Sequence, residues 1–276
     1  MPPPMPYALI GSPIDASPSP AMHNAAFEAL GMNASYKLRP TEPEHAEDVM
    51  AEMRHGKWVG INVTTPLKTI LAPMVKLVGH AERAGAVNTI WRYGSELHGA
   101  LTDIDGILQP LEEAGYTGGG EALIIGNGGA ARAAVIALDE MGTTIHVASR
   151  NPDKARGFLD AMAPAKKGES CTLSNQEALK AVMAKASVVV QATPVGQAKD
   201  RHDLPWKSIG KNLIAFEMVY TPTTTPFLAE ATKAGAAIIE GWQMLLAQGA
   251  ASQKIWTGRQ APVEAMAKAL REQLGL

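Results

Sequence analysis

The chain has 276 residues, 46% apolar and 19% charged, which suits one large or two ordinary cored domains and excludes a disordered chain. A net charge of -2 and few aromatic side chains argue against a nucleic-acid or membrane-surface partner. The single cysteine, Cys171, excludes an internal disulfide framework and a cysteine-built metal site, which fits a reducing cytoplasm.

The opening MPPPMPYALIGSP has no Lys or Arg ahead of its short apolar stretch and does not read as a signal peptide. No uninterrupted apolar run reaches the ~18 residues of a membrane span. Short apolar strands alternate with helical stretches almost throughout, the pattern of βα units on a largely parallel sheet. YALIGSP reads as a buried strand ending at Gly11. SPAMHNAAFEALG reads as a helix with Ser19 as its N-cap, Pro20 in its first turn and Gly31 closing it. ASYKL and GINVT are the next strands, and NTIWRYGSELHGAL is a hairpin turning at Gly94 and Ser95.

Past Asp105 the alternation continues. EALIIG is a strand and AARAAVIALDEMG a helix ended by Gly142, with Ala134, Val135, Leu138 and Met141 on one face. TTIHVASR is a strand and NPDKARGFLDAMA a helix. ASVVVQATP and NLIAFEMV are near-continuously apolar, as central parallel strands should be. AAIIEG is a short strand, and two helices end the chain. The expectation is two α/β lobes, one from 1–104 with the terminal helices of 242–276 returning to it, the other from 105–241.

The second lobe carries LIIGNGGAAR. Gly126, Gly128 and Gly129 bracket a strand-to-helix turn, and Ala131 stands at the third position of a G-x-G-x-x-G pattern. That position needs only close helix–sheet packing, so alanine is admissible. Two readings stay open: a structural turn, or a backbone whose helix-start N–H groups face a pyrophosphate. The end of the next strand bears on this. NAD folds place Asp or Glu there for the ribose 2′-hydroxyl. This chain reads ASRNPDK, so Arg150 stands where the acid is expected. A guanidinium pairs with a 2′-phosphate, which points to NADP over NAD. A solvated surface arginine is the competing reading, and Lys154 reads as solvated.

Four further segments offer substrate contacts. Ser17 and Ser19 lie on the loop entering the first helix, as carboxylate ligands or as simple caps. Asn62, Thr64 and Lys68 follow a strand, where ligands of α/β sheets collect. Asn88 and Thr89 sit in GAVNT, and Thr102, Asp103 and Asp105 in TDIDG, with turns and helix caps as the competing readings.

Taken together, GSPIDASPSPAMHN, NVTTPLK, AGAVNT, TDIDG, GNGGAAR, ASRN, ATPVG, YTPTTTPFL and GWQMLLAQGA closely resemble the shikimate dehydrogenase family over nearly the whole chain. The resemblance implies an N-terminal α/β substrate domain plus a Rossmann-type NADP-binding domain. It implies an enzyme that interconverts 3-dehydroshikimate and shikimate with NADPH in aromatic amino-acid and chorismate biosynthesis. By position, Lys68 and Asp103 are then the catalytic pair. Ser17 and Ser19, helped by Tyr220, hold the substrate carboxylate, and Thr64, Asn88 and Gln248 bind ring hydroxyls. Gly126, Asn127, Gly128, Gly129 and Ala130, with Ser149, Arg150 and Asn151, bind the NADP phosphates and adenosine side. Thr193 and Val195 lie beside the cofactor, and Met218 and Gly241 border the nicotinamide.

The sequence departs from the family pattern before the cofactor lobe. Leu101 replaces an asparagine and Ile104 a glycine around the retained Thr102 and Asp103. A divergent paralogue acting on quinate or an aminoshikimate-like acid, and a non-catalytic nucleotide-sensing module, are the alternatives. The partner expected is a small molecule, for a monomer or homodimer.

Overall fold

A computed structural model describes residues 2–198 and 200–276. The chain runs β1 (Met5–Gly11), α1 (Ser19–Ala29), β2 (Ala34–Pro40), α2 (Ala46–Arg54), β3 (Gly60–Val63), β4 (Lys76–Leu77), α3 (His80–Ala84), β5 (Thr89–Tyr93) and β6 (Glu96–Ala100). It continues through α4 (Asp103–Glu113), β7 (Glu121–Ile125), α5 (Gly129–Glu140), β8 (Thr144–Ser149), α6 (Pro152–Met162), β9 (Lys167–Thr172), α7 (Gln176–Met183) and β10 (Ala186–Gln191). It closes with β11 (Ile214–Glu217), α8 (Pro226–Lys233), β12 (Ala237–Ile239), α9 (Gly241–Thr257) and α10 (Val263–Leu274). Among the described residues, no helix is long and apolar enough to cross a membrane.

The chain divides into two compact units, one comprising the residues up to Asp103 with Leu246–Leu276, the other Ile104–Leu245. The division falls inside α9, between Leu245 and Leu246, with no linker to mark it.

The first unit holds a six-stranded sheet in the order β2-β1-β3-β5-β6-β4. Its pairings are mostly parallel, as expected, β4 also running parallel to β6, with one strand reversed. β1 runs parallel to β2 and β3, whereas β5 is antiparallel to β3 and β6. The expected hairpin accounts for this: Tyr93 pairs with Glu96 across Gly94 and Ser95, and a two-residue turn can only reverse the strand. Tyr7, Leu9, Ile14, Phe27 and Tyr36 form a core beside this sheet, with Trp256 of α9 packed on it. Gly60 at the start of β3 makes room for that indole, since a Cβ there would stand 2.5 Å from Trp256 Nε1.

α1 begins one residue away from the sequence expectation. Pro18 is its N-cap and makes no side-chain cap, while Ser19 is the first helical residue. The amide of Ser19 instead donates to Ser17 Oγ at 3.3 Å.

The second unit is an all-parallel sheet in the order β12-β11-β10-β7-β8-β9. Counted within the unit, this is the doubly wound order 3-2-1-4-5-6, with the reversal between β7 and β10. Ala122–Ile125 and Val188–Val190 are completely buried, so helices cover both faces and no alternation is needed. α5 buries more than the single expected face: Ala131 and Ala133–Leu138 all lack solvent exposure. Its small side chains let it lie close to the sheet. The edge strand β9, KGESCT, has a mostly polar sequence that masked it as a strand.

Candidate active site

The first candidate constellation lies in the first unit and is built on one ion pair. Lys68 follows the turn after β3, and its carbonyl accepts from the Val87 amide at 2.9 Å, which fixes that turn beside the start of β5. Asp103 is the first residue of α4. Lys68 Nζ pairs with Asp103 Oδ2, with only 15% and 6% of the two side chains exposed. The other carboxylate oxygen, Oδ1, accepts from Asn88 Nδ2 at 3.0 Å. Removing either partner of a pair this buried leaves an uncompensated charge, which costs ~3–5 kcal/mol.

Asn88 has its amide orientation dictated from both ends. Its Oδ1 accepts from the Thr102 amide at 2.7 Å and from Thr102 Oγ1 at 3.1 Å. Nδ2 therefore faces Asp103 and also Gln248 Oε1, at 3.2 Å. Beneath it lies a packed polar layer. Asn62 Nδ2 donates towards Asn88 O, Thr89 Oγ1 and Ser252 Oγ at 3.0–3.1 Å, while Asn62 Oδ1 accepts from Tyr36 Oη at 2.8 Å. Thr89, Thr102 and Ser252 hydroxyls lie 2.8–3.2 Å apart. A buried polar network of this kind is stabilising when each member is satisfied, and it then fixes a unique geometry. His23 stacks on Tyr36 with centroids 4.3 Å apart, and burial lowers its pKa to about 3, so it stays neutral.

Ser17 and Ser19 are joined by a hydrogen bond between hydroxyls at 3.1 Å, on the segment that follows β1. Thr64 follows the neighbouring strand β3, its amide donating to Ile10 O at 2.9 Å. Asp105 is exposed on α4. The two departures, Leu101 and Ile104, are buried at 4% and 1% exposure, so both act as core packing around Asp103.

The second unit carries the glycine loop at the reversal between β7 and β10, where open α/β sheets take ligands. Gly126 has φ 117°, and a Cβ there would stand 2.9 Å from Ala192 O and Thr193 Cγ2, so only glycine lets the two loops meet. Gly128 is the N-cap of α5 and supplies no side-chain cap. A Cβ on it would meet nothing within 4 Å. The first-turn N–H groups of α5 thus lack a side-chain cap behind an open approach, which fits a pyrophosphate. Ala131 is fully buried.

At the end of β8, Ser149 Oγ donates to Asn151 O at 2.6 Å. Asn151 caps α6, its side chain accepting from the Lys154 amide at 3.0 Å. Arg150, between them, is exposed. After β10, Gln191 Oε1 accepts from the amide and hydroxyl of Thr193 at 3.0 and 2.8 Å, and its Nε2 donates to Val195 O at 2.6 Å. His202 Nε2 lies 3.1 Å from Thr193 Oγ1. Burial lowers the His202 pKa, Asp200 opposing and Arg150 assisting.

Glu217, in register with Gln191 across β10 and β11, is completely buried. Burial pushes its pKa up to about 7, against hydrogen bonds from Val219, Thr225 and Met218 that pull it down. Met218 and Tyr220 lie half-buried on the loop it begins, and Gly241 opens α9 against the main chain of Val219 and Tyr220.

Sequence reasoning passed over Tyr36, Gln191, His202, Glu217 and Ser252. Two of them left a trace: Gln191 and Glu217 are polar residues at the ends of mostly apolar strands. Ser252 left a fainter one, four residues after Gln248 on the same helix face.

Comparison with known proteins gives the family. The family model described as "Shikimate dehydrogenase substrate binding domain" matches residues 9–90, and that described as "Shikimate 5'-dehydrogenase C-terminal domain" matches residues 241–271. The shikimate dehydrogenase (NADP(+)) of Salinibacter ruber is 39% identical over 272 residues, covering 95% of each chain. The shikimate 5-dehydrogenase of Thermus thermophilus, solved in complex with NADP(H) and shikimate, superposes with a TM-score of 0.87 at 33% identity, covering 98% of this chain and 100% of that one. The shikimate 5-dehydrogenase of Listeria monocytogenes, solved with shikimate and NAD, superposes with a TM-score of 0.88 at 30% identity, covering 97% and 96%. With an α/β fold of two units, a doubly wound second sheet and relatives matched end to end, this chain belongs to the shikimate dehydrogenase family.

Proposed function

We propose that this protein is an NADP-dependent shikimate dehydrogenase that reversibly reduces 3-dehydroshikimate to shikimate. The observation that carries the reading is the Lys68–Asp103 pair, with the second Asp103 oxygen held by Asn88. The names of the relatives, shikimate dehydrogenases acting with NADP, support it.

NADPH, when bound, supplies a hydride to the ketone carbon. Negative charge then develops on the carbonyl oxygen. The Lys68 ammonium stabilises that charge and delivers the proton, while Asp103 aims the ammonium. In the oxidative direction the neutral Lys68 amine, the form left once its proton has been delivered, takes the hydroxyl proton. Ser17 and Ser19, with Tyr220, bind the substrate carboxylate. Thr64, Asn88 and Gln248 bind ring hydroxyls. The first unit is thus the substrate domain and the second the NADP domain. There Gly126–Ala130 receive the pyrophosphate, Ser149, Arg150 and Asn151 the 2′-phosphate and adenosine side, and Thr193, Val195, Met218 and Gly241 the rest of the cofactor. We place the enzyme in the cytoplasm, as a monomer or homodimer.

Steady-state assays with shikimate and quinate, each with NADP and NAD, test the proposal. Highest kcat/KM for shikimate with NADP is expected. Preference for quinate, or absence of turnover with every pair, overturns it.

A further inference from the structure

The loop from Met218 to Thr225 leaves the carboxyl end of β11 and is closed by a single side chain. Glu217 Oε1 accepts from the Val219 amide at 2.9 Å, and Oε2 accepts from Thr225 Oγ1 at 2.8 Å. Thr225 Oγ1 in turn accepts from the Leu228 amide at 3.2 Å, where α8 begins. One carboxyl therefore pins both ends of the loop. It also bears on the neighbouring loop after β10: Met218 donates its amide to Gln191 O at 3.1 Å, and a Cβ on Gly196 would stand 3.9 Å from Glu217 Oε2.

Core packing does not require this carboxyl. The rest of β11, Ile214–Phe216, is apolar and buried, and a fully buried carboxyl is unfavourable unless hydrogen bonds return its solvation. What those bonds determine is the course of the loop. Glu217 touches neither ligand in the proposed scheme, but Met218 is the next residue and Tyr220 lies two positions beyond it on the same loop.

We propose that Glu217 is a positioning residue for the nicotinamide half of NADP, acting through the main chain at Val219 and the hydroxyl of Thr225. The inference rests on the cofactor reading given above. The adenosine half of the cofactor depends on other elements, the glycine loop and Arg150, so the two halves can be separated experimentally.

The test compares the affinities of NADPH and adenosine 2′,5′-bisphosphate, which lacks the nicotinamide half, for wild type, Glu217→Ala and Glu217→Gln. Glu217→Ala should weaken NADPH about tenfold or more, the scale of a misplaced reacting group, while leaving the bisphosphate within about twofold. Glu217→Gln keeps an acceptor for Val219 and should restore NADPH to within about threefold. Equal losses for both ligands, or unchanged NADPH affinity in Glu217→Ala, overturn the inference. Should Glu217→Ala not fold, Thr225→Val removes the donor to Oε2, together with the acceptor for the Leu228 amide, and should shift the same ratio in the same direction; an unchanged ratio rejects the inference. The comparison needs no substrate. Wild-type protein that binds NADPH but shows no shikimate turnover would retire the substrate reading alone.

Discussion

Asn88 holds Asp103 from the side opposite Lys68: its amide nitrogen donates to Oδ1 at 3.0 Å while the lysine takes Oδ2. The carboxylate thus cannot rotate without giving up one partner. Asn88 itself cannot flip, because Thr102 presents two donors to its oxygen.

Asn88→Ala should therefore lower kcat at least ~10-fold, since a misaligned acid–base group loses much of its effect. It also strands the buried Thr102 amide, which costs ~1–3 kcal/mol. Steady-state kinetics and urea unfolding of the same variant measure both effects.

Lys68→Ala removes the proton donor and should depress kcat at least ~10²-fold. NADP affinity, read by fluorescence titration, should stay within about twofold because none of the proposed cofactor contacts is touched. Normal turnover in this variant would end the catalytic assignment.

Arg150→Ala should raise KM for NADP by ~10-fold or more and leave KM for NAD nearly unchanged, since only the 2′-phosphate loses a charge-assisted bond. A proportional rise for both cofactors would make Arg150 an ordinary surface residue.

Glu217 makes stability depend on pH. Its folded pKa is raised to about 7 from an ordinary 4.5, so the folded state binds the proton more tightly than the unfolded chain. Stability is greatest below 4.5 with respect to this group, falls as pH rises, and levels off above about 7. The span is on the order of 3 kcal/mol. Glu217→Gln lacks the transition. Its stability relative to wild type should therefore grow between pH 4.5 and 7 in denaturant unfolding, and parallel profiles would refute the titration.

Much of the fold was legible because local signals agreed. The strand–glycine–helix passage at Leu123–Arg132 and the turn at Gly94 and Ser95 are short-range chemistry, and both lie where the sequence put them. Ser19 was misread as a cap because two flanking prolines blur the first turn, and the boundary moved by one residue. β9 escaped because an edge strand buries little and shows no apolar run. The layer under Asn88 was illegible for a different reason. Thr89 and Ser252 are separated by 163 positions, and no periodicity announces that their hydroxyls meet. Lys68 and Asp103 each stand out as a candidate in the sequence, but their pairing follows from family resemblance rather than from spacing, since 35 residues separate them.

α9 joins this hidden layer to the core. Gln248, Ser252 and Trp256 recur every four residues along one side of it. Trp256 rests where Gly60 leaves the sheet bare, and Gln248 reaches Asn88. The helix works as a ruler about 12 Å long between those two points. A methyl group added at Gly60 would displace the indole and slide the graduation at Gln248, shifting the side chain that meets Asn88.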